Sequence, residues 1–180
     1  MRIISGEFRG RKFQPPGSFK GRPTTDFARE GLFNILRFRA EMAGVNALDL
    51  FSGTGAMTYE LLSHGAATVV AVERSAPAVR FIRTTAELLK PEAVQVLQGD
   101  VFQMLPRLRG PFEIVIADPP YAEQRLTNLP SMVRNAGLLA KGGVFVLEHG
   151  PDIDFEDEPG FDDHRRYGHV HFSFFNFDEE

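Results

Sequence analysis

Five short apolar runs between residues 46 and 149 constrain this chain more than any other feature. "ALDLF", "TVVAVE", "AVQVLQ", "FEIVIA" and "GVFVLEHG" are separated by "GAMTYELLSHG", "APAVRFIRTTAELLK", "VFQMLPRLR" and "QRLTNLPSMVRNAGLLA", which read as helices. Strands that are apolar along both faces need cover on both, and strands separated by helices return in the same direction. The pattern predicts an α/β fold with a mostly parallel, doubly wound sheet and helices on both faces. The tail "RRYGHVHFSFFNF" alternates like strands, so an antiparallel C-terminal hairpin should complete the sheet, with the phenylalanines filling its core.

Ligands in such sheets sit beyond the carboxyl ends of the strands, so the residues there matter most. The fourth run ends in Asp118, Pro119, Pro120 and Tyr121. Two prolines cannot donate to a ladder, so pairing stops and Asp118 projects from a strand tip. The first run ends in "DLFSGTGAM", where Gly53 and Gly55 let the backbone approach a ligand and turn into a helix. Thr58 stands where a dinucleotide fingerprint wants a third glycine, and Asp49 on the strand would repel a pyrophosphate but suit a cation. Glu73 closes the second run, 20 residues after Gly53, where an acid can accept both hydroxyl protons of a ribose. Asp100 follows the third run and can hold an adenine amino group, with Val101 and Phe102 against the ring. Each acid alone is equally a helix cap. Three acids closing three successive strands beside a glycine turn strain that account.

Charge divides the chain unequally. Residues 1–39 hold nine Lys/Arg against three acids, whereas the whole chain carries a net charge of −4. A basic arm on an acidic body fits a polyanionic partner, and it equally fits a solvated surface. "RIIS" and "RKFQ" read as a short hairpin around Gly6 to Gly10. A Gly/Pro-rich loop, "PPGSFKGRP", follows it. A helix then starts at "TTD", capped by Thr25 or Asp26, with an apolar stripe of Phe27, Leu32, Phe33, Ile35 and Leu36. Residues 1–45 are expected as an appendage and residues 46–180 as the catalytic part. The absence of cysteine excludes thiolate metal sites and cysteine nucleophiles. The five histidines lack a ligand spacing, so no metal is expected. The start "MRIISGEFRGRKF" is too polar for a signal peptide and no run is long enough for a membrane span, so a cytoplasmic monomer is expected.

Asp49-x-Phe51-x-Gly53-x-Gly55, Glu73, Asp100 and "DPPY" resemble the ordered motifs of class I S-adenosylmethionine-dependent methyltransferases that modify exocyclic amino groups. "RIISGEFRGRKF", "RPTTDFAREGLFNIL" and "RRYG" resemble more narrowly the small-subunit ribosomal RNA methyltransferase D family, across essentially the whole chain. The resemblance implies a Rossmann-like fold of seven strands, S-adenosylmethionine as cofactor, and N2-methylation of a guanine in 16S rRNA or the small ribosomal subunit. It places Asp49, Phe51, Gly53, Gly55, Glu73, Asp100 and Val101 at the cofactor and Asp118, Pro119, Pro120 and Tyr121 at the chemistry. Arg9, Arg11, Lys12, Arg22, Thr24 and Thr25 fall to the RNA. An amino-methyltransferase acting on DNA adenine or another RNA, and a non-catalytic RNA-binding assembly factor on the same fold, are the competing readings. Intact Asp118, Gly53 and Gly55 weigh against the last.

Overall fold

In the computed structural model, which describes residues 1–178, seven strands form one sheet in the order β3-β2-β1-β4-β5-β7-β6. Residues 179 and 180, the end of the expected catalytic part, lie outside the described residues. The parallel core comprises β1 (Asn46–Leu50), β2 (Thr68–Glu73), β3 (Val94–Gln98), β4 (Phe112–Ala117) and β5 (Leu139–His149). β7 (Val170–Phe175) pairs antiparallel with β5 and with β6 (Phe161–Tyr167). The acidic stretch "PDIDFEDEPGFDD" at residues 151–163, which reads as a loop, ends in the first three residues of this edge strand, 161–163.

Side-chain alternation divides the core between the two faces. On one face Ala47, Ile114 and Ile116 pack with α1 (Asp26–Arg39), α2 (Ala56–Ser63) and α3 (Ala76–Glu87). On the other, Leu48, Leu50, Val115 and Ala117 meet α4 (Val101–Met104) and α5 (Leu129–Asn135). The tail contributes as expected: Phe172, Phe174 and Phe175 are fully buried.

Three expectations about helices need correction. α4 stops after one turn and continues as a 3-10 turn over Leu105–Arg107, because Pro106 cannot supply the next helical N–H. The long helix expected over 124–140 is a 3-10 turn at Gln124–Asn128 followed by the seven-residue α5. Gly137 at φ +62° ends it, and Leu139 already pairs with Phe112. Phe27 does not join the apolar stripe of α1. It is 67% exposed and packs edge-on against Tyr167, while Leu32, Phe33 and Leu36 are buried.

The N-terminal segment forms a single antiparallel bridge, Arg2 to Lys12, rather than a full hairpin. Polar side chains of α2 and α1 fasten it. Glu60 accepts the Ile4 N–H at 2.6 Å, Ser63 accepts the Phe8 N–H at 2.9 Å, and Arg29 donates to the Arg2 carbonyl at 2.7 Å. Arg29 and Glu60 are themselves a buried ion pair at 3.4 Å. Ile3 and Phe8 reach the same core as α1 and α2.

Candidate functional site

The tips of β1, β2 and β4 converge at the glycine turn. Asp49 lies on β1, 1% exposed, with Oδ2 accepting the Thr58 hydroxyl at 2.6 Å and a buried Oδ1 that has no hydrogen-bond partner among the described residues. Burial raises its pKa from 3.8 to about 7; the Thr58 hydrogen bond opposes that rise and the Glu73 charge adds to it. After Leu50 the backbone turns sharply. Phe51 at φ +59°, Gly53 at +57° and Gly55 at +91° all occupy the left-handed region. A β-carbon at Gly55 would come within 2.6 Å of the Tyr59 ring, so that position is closed to any side chain. A non-glycine residue such as Phe51 held at positive φ is the kind of strain that collects at ligand sites.

Glu73, at the end of β2, is already engaged with the backbone of this turn. Its Oε2 accepts the Gly53 N–H at 2.7 Å and its Oε1 the Ser75 N–H at 2.9 Å. Asp100 is the cap of α4, accepting N–H groups from Phe102 and Gln103 at Oδ1, while Oδ2 faces Arg125 at 3.5 Å. The cap role is therefore real, and the second oxygen is paired with Arg125. Val101 is buried, and the Phe102 ring packs on Phe51 at 5.8 Å under the Arg125 guanidinium at 3.9 Å. The Gly/Pro-rich loop crosses the mouth of the site, since a β-carbon on Gly53 would meet the Phe19 ring at 3.2 Å.

At the tip of β4, the Asp118 N–H donates to the Leu50 carbonyl at 3.2 Å, tying the "DPPY" segment to the glycine turn. Thr24 is buried, with its hydroxyl 3.1 Å from Asp118 Oδ2 and 2.6 Å from Glu148 Oε2. Tyr121 is half exposed, and its hydroxyl donates to the other Glu148 oxygen at 3.4 Å. Burial and the neighbouring Glu148 charge push the Asp118 carboxyl well above the usual range, and burial also raises Glu148. Tyr121 is raised too, by burial first and then by these acids. Pro119 is buried and Pro120 is exposed, with its carbonyl accepting the Glu123 N–H at 2.9 Å.

Glu148 escaped the reading of the sequence. Its signal was an acid inside the apolar run "GVFVLEHG". β4 and β5 pair in parallel with Ala117 opposite Leu147, so the next residues, Asp118 and Glu148, leave adjacent strands at the same level.

The expected RNA contacts are scattered differently. Thr24 alone reaches the acids. Thr25 caps α1, its hydroxyl accepting the Ala28 N–H at 3.2 Å. Arg9, Lys12 and Arg22 are exposed, and Arg11 lies over the Phe8 ring while donating to the Leu88 carbonyl at 2.9 Å. Of the histidines, His149, His164 and His171 cluster beside the tail strands, where His149 meets Ser173 and His164 meets His171, both at 2.8 Å. Among the described residues no group of three or more His, Asp or Glu is arranged to hold a metal ion.

The family described as Conserved hypothetical protein 95 matches residues 1–176. The ribosomal RNA small subunit methyltransferase D of Escherichia coli K12 is 32% identical over 148 residues, covering 82% of this chain and 74% of that protein. The chain belongs to the small-subunit ribosomal RNA methyltransferase D family. Within the same fold, a hypothetical protein of Thermus thermophilus superposes with a TM-score of 0.84 at 29% identity, over 98% of this chain and 99% of that one. An RNA methyltransferase from Salinibacter ruber, solved with S-adenosyl-L-homocysteine, matches at a TM-score of 0.68 and 19% identity, over 88% of this chain and 95% of that one. That last likeness carries the fold alone.

Proposed function

We propose that this protein transfers the methyl group of S-adenosylmethionine to the exocyclic N2 of a guanine in 16S rRNA. Family membership supports rRNA methylation with this cofactor. The observation that carries the amino acceptor is the meeting of Asp118, Pro119 and Tyr121 with the glycine turn at the tips of adjacent strands. The residues present fit the cofactor. The partnerless Asp49 Oδ1, buried on the strand before the turn, is an uncompensated acceptor for which a cationic ligand supplies the missing charge. The left-handed glycines keep side chains out of the cradle, Glu73 stands at the ribose position of the fold, and Asp100 with Phe102 flanks the adenine position.

Bound there, S-adenosylmethionine supplies an electrophilic methyl on a sulfonium. The chain's own residues must do the rest. A guanine N2 lone pair is delocalised into its ring, so the enzyme has to hold the amino group and localise that pair toward the methyl. Asp118 and the Pro119 carbonyl accept the two N–H protons, and the paired prolines fix the carbonyl direction in advance. Tyr121, half exposed at the mouth, stacks on the extracted base. Residues 1–45 face the RNA, with Arg9, Arg11, Lys12 and Arg22 on phosphates and Thr24 at the acceptor, while residues 46–180 carry the cofactor.

The test is transfer of labelled methyl to 16S rRNA, small subunits, tRNA and DNA in parallel, followed by nucleoside analysis. N2-methylguanosine in 16S rRNA or the small subunit is the expected product. Label in adenine, in DNA only, or in no substrate would refute the assignment.

A further inference from the structure

The Thr24 hydroxyl contacts two carboxyl groups but holds one proton. It can donate to Glu148 or to Asp118, not to both. The shorter contact, 2.6 Å, is to Glu148, as a hydroxyl bonded to a charged carboxylate would be; the contact to Asp118 is 3.1 Å. The consistent arrangement is Thr24 donating to an ionised Glu148 while a protonated Asp118 donates to the Thr24 oxygen. Glu148 is 3% exposed, and its second oxygen accepts the Tyr121 hydroxyl. The groups facing the pair are Asp49 from β1, Tyr121 from the loop after β4, and Thr24 from the N-terminal segment; Asp49 is the only charged one, and it is an acid. Two like charges this close in a buried site do not both ionise readily, so the resting pair carries one proton.

Yet a protonated Asp118 is a poor acceptor for an amine. We infer that Glu148 is a positioning residue which takes the proton of Asp118, through the Thr24 hydroxyl, when a target amino group arrives. This rests on the amino-methylation reading above. The protons balance. On docking, the Asp118 proton passes to Thr24 Oγ1 as the Thr24 proton passes to Glu148, leaving Asp118 ionised to accept the substrate N–H. The nitrogen lone pair then forms the N–C bond while the pair of the breaking S–C bond stays on sulfur. The surplus proton on nitrogen moves to Asp118, making the acid pair neutral, and one proton leaves to water to reset it. Glu148 touches neither substrate nor cofactor in this scheme. It acts only through Asp118.

Carboxyl-carbon NMR titration of the whole protein without substrate, with Asp and Glu labelled at their carboxyl carbons and Asp118→Asn used for assignment, tests the pair directly. The parent should show an Asp118 midpoint above the ordinary carboxylate range. Glu148→Gln removes the neighbouring charge and should lower that midpoint by at least one pH unit. Thr24→Val leaves both acids but removes the hydrogen bond that holds the proton on Asp118, so the midpoint should fall by less than in Glu148→Gln and stay above the ordinary range. Single-turnover methyl transfer should follow. The acid limb of the rate profile should move to lower pH in Glu148→Gln, where Asp118 is already ionised, and to higher pH in Thr24→Val, where the Asp118 proton has lost its path to Glu148, with S-adenosylmethionine affinity unchanged in both. A side chain that merely fills space would move neither limb. An Asp118 midpoint unaltered by Glu148→Gln overturns the inference, and Thr24→Val decides it if that variant does not fold: equal midpoints with an unmoved rate limb reject the relay. These midpoint shifts in a protein that methylates no guanine would instead refute the substrate assignment and leave the pair standing.

Discussion

Replacing Asp49 by asparagine should stabilise the protein without its cofactor at pH 8 and destabilise it at pH 4. Asp49 is buried and its pKa is raised from 3.8 to about 7, chiefly by burial. A folded-state pKa above the unfolded one means that the native state favours the neutral acid. Stability is therefore full below about pH 4 and is lost progressively up to about pH 7. The loss amounts to about 4 kcal/mol at ~1.36 kcal/mol per pH unit. Asparagine is neutral throughout and its oxygen can still accept from Thr58. Its amide N–H groups, however, fall where Oδ1 has no partner, at a cost of about 1–3 kcal/mol. The net gain at pH 8 is then about 1–3 kcal/mol, or roughly 3–10 °C in Tm for a chain of this size. At pH 4 only the unpaired amide remains, and the variant should melt below the parent. Thermal denaturation of both proteins across pH 4–8, followed by circular dichroism, measures the crossing. Calorimetry should show S-adenosylmethionine binding weakened at least tenfold in the variant, and in the parent as pH falls below about 7. A melting difference of the same sign and size at every pH would refute the argument, because it would mean that the Asp49 charge costs the fold nothing.

Glu73→Ala removes a proposed ribose acceptor together with two backbone hydrogen bonds of the glycine turn, so cofactor affinity should fall by about 1.5–3 kcal/mol or more in calorimetry. Unchanged affinity would remove Glu73 from the site. Asp118→Ala should abolish most methyl transfer while sparing cofactor affinity and Tm, since it also relieves the crowding with Glu148; Asp118→Asn should keep partial activity, and near-normal turnover in the alanine variant would contradict the assignment. Arg29→Ala strands a buried Glu60 and should cost about 3–5 kcal/mol in denaturant unfolding. Replacing Arg9, Arg11 and Lys12 by alanine should flatten the log-affinity against log-salt line for RNA by up to about 2–3 units, with cofactor binding unmoved.

The architecture was legible because each buried strand carries its own signal. Apolar runs such as "IVIA" read as two-faced cover, and the helices between them fixed parallel direction, so sheet class, the glycine turn and the antiparallel tail were all recoverable. Where prolines and glycines competed with helical periodicity, around Pro106 and Gly137, local backbone chemistry won and the expected helices shortened. Phe27 misled for another reason. Helical spacing places a residue on a stripe but does not say how wide the buried stripe is, and α1 ends its burial short of that position. Glu148 stood in the sequence only as an acid inside an apolar run, and Thr24 was reached only through the family resemblance. Their meaning comes from pairing of β4 with β5 and from an N-terminal segment folded across the strand tips, contacts 94 and 124 residues apart in sequence.

Three acids, Asp49, Asp118 and Glu148, gather at the ends of β1, β4 and β5, each shifted toward its neutral form by burial. No fold gains stability from such a cluster, since every one of these carboxyls favours the unfolded chain at neutral pH. The buried core carries that cost in the empty protein, and the proposed ligands would offset part of it. In the proposed reaction a cationic cofactor beside Asp49 would favour its charged form, and a target amine beside Asp118 would supply the donor that a lone carboxylate lacks. Each ligand lowers the cost that the acids impose on the empty protein, so each should stabilise the fold by more than its contact surface implies. In the proposed reaction, methyl transfer would leave the spent cofactor without its sulfonium charge, and the product's proton would neutralise the Asp118–Glu148 pair. The hold on the spent cofactor and on the modified base would both weaken, so the buried acids proposed to select these ligands would also favour their release.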